Sequence, residues 1–420
     1  VSYLLATSLQ PTAKKERIIE LDILRGLALL GILIVNMAYF NSPIMYSQLI
    51  GMELWEGPID RVMERLIFFF GEGKFYTMFS FLFGLGFIIF IERAKEKVTR
   101  PRLLFLRRLA SLLVFGLIHA FFFWYGDILT IYGLVGLLLL FFVYRQPRTL
   151  LIWTGIMVFL YFILIAFQAL GAWVNAHHMD YSVAEQEALF TAQIGAMIEQ
   201  SYLAYGQGTW SEVMAQRVAD NLFMYSYIVF AVPIILPMFL LGAYVGKKGW
   251  HRNLSDTLPL LRKIWLFCLL TGLPLTAIKT YAYFQPELTT YSFYYTFYMV
   301  GMILGDPLMS FFYMTSMVLL VQKPLWRQRF DFLRPLGQMA LTNYLMQTLF
   351  ATTIFYSYGL GLYGQVGPAL SFLIALLIFS LQVLFSRYWL SRYPYGPMER
   401  LWRTMTYGKL KQKVSSSSHL

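Results

Sequence analysis

The chain has 420 residues, of which 58 % are hydrophobic and only 13 % charged, with a mean hydropathy of +0.58. A soluble domain carries about twice that charged fraction, so a water-soluble fold is excluded and an all-α, polytopic membrane helical bundle is expected. The formal net charge of +12 is read as basic loops facing anionic lipid headgroups, not as a nucleic-acid surface.

Apolar runs predict ten membrane spans, near 21–40, 62–90, 103–123, 126–144, 149–172, 220–246, 262–283, 290–320, 335–357 and 366–390. With the N-terminus inside, all Lys and Arg except Arg61, Arg65, Lys74, Arg217 and Lys279 fall on the cytoplasmic side, which predicts an N-in, C-in topology. Residues 1–20 read as a cytoplasmic segment without a signal peptide, and 409–420 as a disordered tail. Between them lie an N-terminal five-helix region (21–172), an outer amphipathic connection (173–219) and a C-terminal five-helix region (220–408). Within the connection, AEQEALFTAQIGAMIEQSYLAYG (184–206) has helical apolar spacing. The second, sixth and eighth candidates are overlong and hold GEGKF (71–75), AVPIILP (231–237) and GDP (305–307), where a kink or unwound turn is expected.

Ionisable groups in such helices usually face the bundle interior or water. The first helix carries Asp22 and Arg25 on one face, with Asn36 about three turns further on. Arg25 suits orientation of an anionic ligand; headgroup contact or helix capping serves equally. Asn36 suits a substrate carbonyl, or polar contact between helices. Glu72 and Lys74 lie two residues apart, so their pairing needs the bend that Gly71 and Gly73 allow. If the helix instead starts near Phe75, both charges sit at the interface. His119 and Asp127 flank the predicted turn WYG (124–126), which brings them together. A carboxylate bonded to imidazole sets its tautomer and raises its basicity, as a general base requires. A structural histidine beside an N-capping Asp127 is the plainer alternative.

Metal chemistry has no support in the spacing. His177 and His178 are adjacent, His251 is remote, and the only cysteine, Cys268, lies in an apolar run. Asn343 and Gln347 share a helix face. Arg387, Arg392, Glu399, Arg400 and Arg403 mark a cytoplasmic boundary, where they anchor the last helix or hold cofactor phosphates.

Six strings together resemble the YeiB family of bacterial membrane proteins, defined by the DUF418 domain. They are LDILRGLALLGILIVN, GKFYTMFSFLFGLG, RRLASLLVFGLIHAFFFWYGDILTIYGLVG, LPMFLLGAYVGKKG, LTNYL and SRYWLSRYPYGPMERLWRTMTY. The resemblance runs from residue 17 to 408 and implies a bacterial cytoplasmic membrane. That family is distantly similar to membrane acyltransferases of the heparan-glucosaminide acetyltransferase group. The similarity implies transfer of an acyl group from a cytoplasmic acyl-CoA or acetyl-CoA to an acceptor at or across the membrane. In that group a catalytic histidine follows soon after the first helix; the matching stretch here, NMAYFNSPIMYSQLIG (36–51), has none. On this reading His119, oriented by Asp127, activates the acceptor. Asn36, Glu72 and Lys74 complete the catalytic set, and Arg25, Arg107, Arg108, Arg387 and Arg392 bind the cofactor. Arg25 and His119 must then border one cavity. The alternative is a transporter or flippase for a small metabolite or lipid, or a lipid-binding membrane protein. The expected partners are membrane lipids and a small-molecule or lipid substrate, with a homodimer left open.

Overall fold

The computed structural model describes residues 18–177, 181–285, 288 and 292–408. Residues 1–17, in the segment expected to be cytoplasmic, and the tail from residue 409 lie outside the described residues. Among the described residues there is no strand, and the long apolar runs satisfy their backbone polar groups within helices.

In chain order the helices begin with α1 (Ile19–Asn41), α2 (Ile44–Ser47), α3 (Pro58–Phe70), α4 (Lys74–Lys97), α5 (Pro101–Phe122) and α6 (Leu129–Leu138). Then follow α7 (Pro147–His177), α8 (Tyr181–Gln207), α9 (Trp210–Ser226), α10 (Ile228–Lys248), α11 (Leu254–Tyr283) and α12 (Phe293–Val300). The last are α13 (Asp306–Val321), α14 (Pro324–Phe330), α15 (Leu333–Gln338), α16 (Ala340–Phe355), α17 (Pro368–Arg392) and α18 (Pro397–Tyr407).

Eight stretches are long and apolar enough to cross a membrane: Ile19–Asn41, Pro58–Glu96, Pro101–Phe122, Pro147–Val174, Ile228–Lys248, Leu254–Tyr283, Phe293–Val321 and Pro368–Arg392. The chain is therefore a multi-pass membrane bundle, but two of the ten expected spans fall short. The fourth is α6 plus a 3-10 turn, Leu139–Phe142. The ninth divides into the six residues of α15 and the sixteen of α16. Sixteen residues rise about 24 Å, less than a hydrocarbon core of about 30 Å. Helix α16 is also polar inside: Thr342, Asn343, Gln347, Thr348 and Thr352 are all buried. Most of the helix packs against protein, with Leu349 and Thr353 its exposed residues.

The overlong spans break where backbone chemistry allows. Helices α3 and α4 meet at a turn over 71–73, with Gly73 at φ +90°. Helix α3 exposes Ile59, Val62, Leu66 and Phe70 on one face, as an interfacial helix does. Residues Gly301–Gly305 form one π-helical turn between α12 and α13, a feature often found at functional sites. The sixth candidate differs from expectation. Helix α10 runs through Pro233 and Pro237, and the break lies earlier, at Tyr227. Residues 220–226 therefore belong to α9. The predicted helix over 184–206 lies within α8.

The two five-helix regions share one core. Leu24, Leu29 and Phe40 of α1 are buried in the same cluster as Leu333, Leu336 and Phe355, and Leu85 of α4 lies with Phe239 of α10.

Candidate functional site

Two buried polar centres sit in this bundle. The first grows from the hairpin between α5 and α6. His119 Nδ1 lies 2.8 Å from Asp127 Oδ1. Asp127 also caps α6, its Oδ2 accepting from the Thr130 N–H at 2.6 Å. Gly116 leaves room for this cap: a Cβ there would stand 2.4 Å from Thr130 N and 2.9 Å from Asp127 Oδ2. The other imidazole nitrogen, Nε2, lies 2.9 Å from Thr348 Oγ1 on α16. One carboxylate thus meets both the imidazole and the first turn of α6, and a hydroxyl completes a Thr–His–Asp series. His119 is 2 % exposed and Asp127 4 %, so the series is closed to solvent. Glu399 fixes the start of α16, accepting the Thr342 N–H at 3.0 Å and the Thr342 hydroxyl at 2.6 Å. Burial pushes the Glu399 carboxyl above its ordinary value, against the pull of these bonds. Further along, Asn343 donates to Ser386 Oγ, and Gln347 to Leu29 O and Gln382 Oε1. These bonds hold α16 against α1 and α17.

The second centre gathers Glu72 and Lys74 with two residues far away in sequence. Lys74 Nζ lies 2.9 Å from Asp306 Oδ1, and Lys279 Nζ 2.6 Å from Asp306 Oδ2. Asp306 opens α13 directly after the π turn. Lys74 also donates to the carbonyls of Glu72 (2.8 Å) and Phe68 (3.3 Å), and Lys279 to that of Glu72 (3.3 Å). Lys279 further lies over the Phe68 ring, 4.8 Å from its centroid. Gly73 is required twice here. Its φ of +90° disfavours a side chain, and a Cβ would stand 1.9 Å from Asp306 Oδ2. The Glu72 carboxylate makes no close ion pair with these groups, although it feels both lysines and Asp306 at longer range; it meets the Tyr39 hydroxyl at 3.5 Å. The bend between Glu72 and Lys74 exists, yet Lys74 pairs with Asp306 instead. Its ammonium donates to two carbonyls and is ion-paired with Asp306.

The remaining predicted residues scatter. Asn36 is half-buried and no hydrogen bond joins it to His119 among the described residues. Asn41, one helical turn on, is the buried amide, donating to Val366 O at 2.9 Å and Ser371 Oγ at 2.6 Å. Arg25 pairs with Asp22 at 3.4 Å. Arg108 stacks on Trp402, 3.6 Å from the ring centroid, with Arg25 and Arg403 within electrostatic range. Arg107 is half-buried, Arg387 is exposed, and Arg392 packs on Tyr388 of its own helix. The five arginines thus form no single cradle.

A cleft at the surface is lined by Arg102, Arg145, Tyr144 and the apolar Leu137, Leu140 and Phe141. Sequence reading does not single out these arginines; their nearness across the α5–α6 hairpin is the signal that could have found them. A second, narrower cavity of about 40 Å³ borders Glu72. Neither opening is lined by Arg25 or His119. Among the described residues no group of three or more His, Cys, Asp or Glu is placed to hold a metal ion.

Sequence reading also misses a third acid. Asp220 on α9 accepts from Tyr46 (2.7 Å), Tyr205 (2.5 Å) and Gln216 (2.7 Å). Burial pushes its carboxyl up to about 6, against those three donors and Arg217. Arg217 is fully buried and donates to Phe122 O at 2.6 Å.

Comparison with known proteins places this architecture. Residues 245–409 match the family model described as protein of unknown function (DUF418). The chain is 37 % identical to the uncharacterized protein YxaH of Bacillus subtilis (strain 168), covering 96 % of this chain and 97 % of the relative. An uncharacterized 39.9 kDa protein in the amylase 3' region of Bacillus acidopullulyticus is 30 % identical, over 96 % and 97 %. The uncharacterized protein YeiB of Escherichia coli (strain K12) is 28 % identical, over 96 % and 100 %. No description among these names an acyltransferase. No solved structure matches. By full-length likeness to bacterial relatives, the chain belongs to the DUF418/YeiB family of multi-pass membrane proteins.

Proposed function

We propose that this protein is a membrane acyltransferase in which His119 is the general base. The observation that carries this reading is the Thr348–His119–Asp127 series, with 2.9 Å and 2.8 Å links on the two imidazole nitrogens. Asp127 holds Nδ1 as the protonated nitrogen and leaves Nε2 to accept, as general-base catalysis requires. An acceptor hydroxyl or amine takes the place of the Thr348 hydroxyl and gives its proton to Nε2 as it attacks the thioester carbonyl. The tetrahedral adduct then expels the thiolate, which recovers that proton as the free thiol. The donor class on this reading is an acyl-CoA, as the resemblance read from the sequence implies.

Arg102 and Arg145 border the cleft best suited to the donor's phosphates. Arg102 and His119 are seventeen residues apart on α5, about 26 Å of helix rise, so the thioester arm has to enter deeply along that helix. We place the cleft on the cytoplasmic face of a bacterial inner membrane. The short α6 and α16 then complete ten crossings, with both termini inside.

The test is transfer of isotope-labelled acetyl from acetyl-CoA to bacterial envelope extract by the purified protein. Wild type should label an acceptor, and His119→Ala should fold but transfer at least a hundredfold more slowly. Absence of transfer by wild type over a range of acyl lengths, or equal transfer by the variant, would overturn the proposal. The transport alternative draws on a different observation: two helices break at the same ion cluster, at 71–73 and 301–305. Solute uptake into vesicles without any labelled product would favour it.

A further inference from the structure

The narrow cavity beside Glu72 has a composition that neither reading uses. Its wall holds two carboxylates, Glu64 and Glu72, and no lysine or arginine. Neither carboxylate has an ion-pair partner among the described residues. The nearby cations make their close contacts elsewhere, Lys74 and Lys279 with Asp306, Arg61 with Glu53 at 3.4 Å and Arg65 over the Phe284 ring, and act on Glu72 and Glu64 only at longer range. Four aromatic side chains, Tyr39, Trp55, Phe68 and Tyr283, line the same space. Aromatic faces with carboxylates attract cations.

A separate observation points to a hydrogen-bond donor as occupant. Asn41 lines the cavity and is 1 % exposed. Both bonds of its amide leave from Nδ2, and its Oδ1 is buried with no partner. A buried acceptor left unmatched costs about 1–3 kcal/mol unless a donor reaches it. The wall therefore presents an excess of acceptors, which suits an ammonium group with its three N–H donors. An anion finds nothing comparable, since the two lysine ammonium groups beneath are committed to Asp306 and to main-chain carbonyls. A volume of about 40 Å³ admits an ammonium head and a short carbon stem, but not a bulky solute.

The geometry points to a binding site for a primary ammonium group, supplied by a small soluble amine or by an amine-bearing lipid headgroup, held between Glu72, Glu64 and the Asn41 carbonyl under an aromatic wall. The site is independent of the His119 series. The lysine cluster serves it by holding the turn: both ammonium groups bind the Glu72 main-chain carbonyl, while its carboxylate meets the Tyr39 hydroxyl.

The experiment uses the full chain in phosphatidylglycerol nanodiscs, titrated calorimetrically with ethanolamine. In parallel, native mass spectrometry compares retention of phosphatidylethanolamine with that of phosphatidylglycerol. Saturable ethanolamine binding without lipid preference identifies a soluble amine, and selective retention of phosphatidylethanolamine identifies the headgroup. In either case Glu72→Gln should weaken binding at least tenfold, because it keeps the main-chain carbonyl but removes the charge. Trp55→Leu, in the connecting loop and away from the ion cluster, should weaken it about threefold and guards against a folding defect in the first variant. Absence of both ethanolamine binding and lipid preference overturns the site, as does binding that both variants retain.

Discussion

Asp127 and Asp306 are both buried and each holds two partners, yet they solve opposite problems. Asp127 meets one imidazole and one main-chain N–H, at the end of a local hairpin. Asp306 meets two ammonium groups brought from α4 and α11. In the first centre the carboxylate orients a ring, and a neutral amide of the same shape would occupy nearly the same space. In the second it balances charge in a dry interior, and no neutral group replaces it. Asp220 is a third case, with neutral donors on every bonded side and burial dominating its ionisation. The company of a buried acid, more than its burial, decides whether it acts in folding, orientation or titration.

The same substitution at two sites gives the sharpest contrast. Asp306→Asn leaves Lys74 and Lys279 buried without a counter-charge and should cost about 3–5 kcal/mol. Thermal melting in detergent should show most of the protein unfolded or aggregated. Replacing all three members with apolar residues of similar size should recover much of that loss, because the pair's desolvation is removed as well. If Asp306→Asn melts like wild type, the ionic reading of this centre fails.

Asp220 should reveal itself through pH. Unfolded, it ionises near its ordinary value of 3.8; folded, near 6. Between those values the folded state keeps a proton that the unfolded chain has lost, so stability falls as pH rises from about 4 to 6 and levels off above. The full fall across that window is on the order of 3 kcal/mol. Comparing denaturation of wild type and Asp220→Asn across that range isolates the effect, and parallel curves would remove Asp220 as the source.

Asp127→Asn should instead spare the fold and remove orientation. The acyl transfer proposed for His119 should drop about a hundredfold, equivalent to about 2.7 kcal/mol in the barrier. The melting temperature should move by only a few degrees, as for loss of about 1 kcal/mol. A protein that unfolds with this change would show that Asp127 is structural, like Asp306.

The smallest effect belongs to the space around the first centre. Gly116→Ala presses a methyl group against Thr130 N and Asp127 Oδ2 and should cost about 1–2 kcal/mol of stability. It should also lower transfer activity, because the cap that positions Asp127 moves. Unchanged activity with lowered stability would separate the cap from the orientation of His119.

Legibility in the sequence follows distance along the chain. Asp22 with Arg25, and His119 with Asp127, are readable as pairs because one helical turn or one short hairpin joins them. Glu72 and Lys74 stand out as charges, but nothing in the sequence joins Asp306 and Lys279 to them. More than two hundred residues separate these partners, and no local pattern records the contact. GDP (305–307) reads as a helix break, whereas its acid is the centre of the cluster. Alignment with Arg25 singles out Asn36, whereas the buried amide near the end of α1 is Asn41.

By itself the sequence determined the solvent and the class of fold. Its apolar runs require lipid, and runs about twenty residues long cross it as helices, which pair their backbone groups within each segment. It also marked the turn at 71–73 through its glycines, but not the break at Tyr227, since α10 runs through Pro233 and Pro237. Only the tertiary structure decided which polar groups meet, since a buried charge or amide is stable only opposite its partner. That requirement placed short, polar α16 inside the bundle, set Thr348 against His119, and assigned both lysines to Asp306.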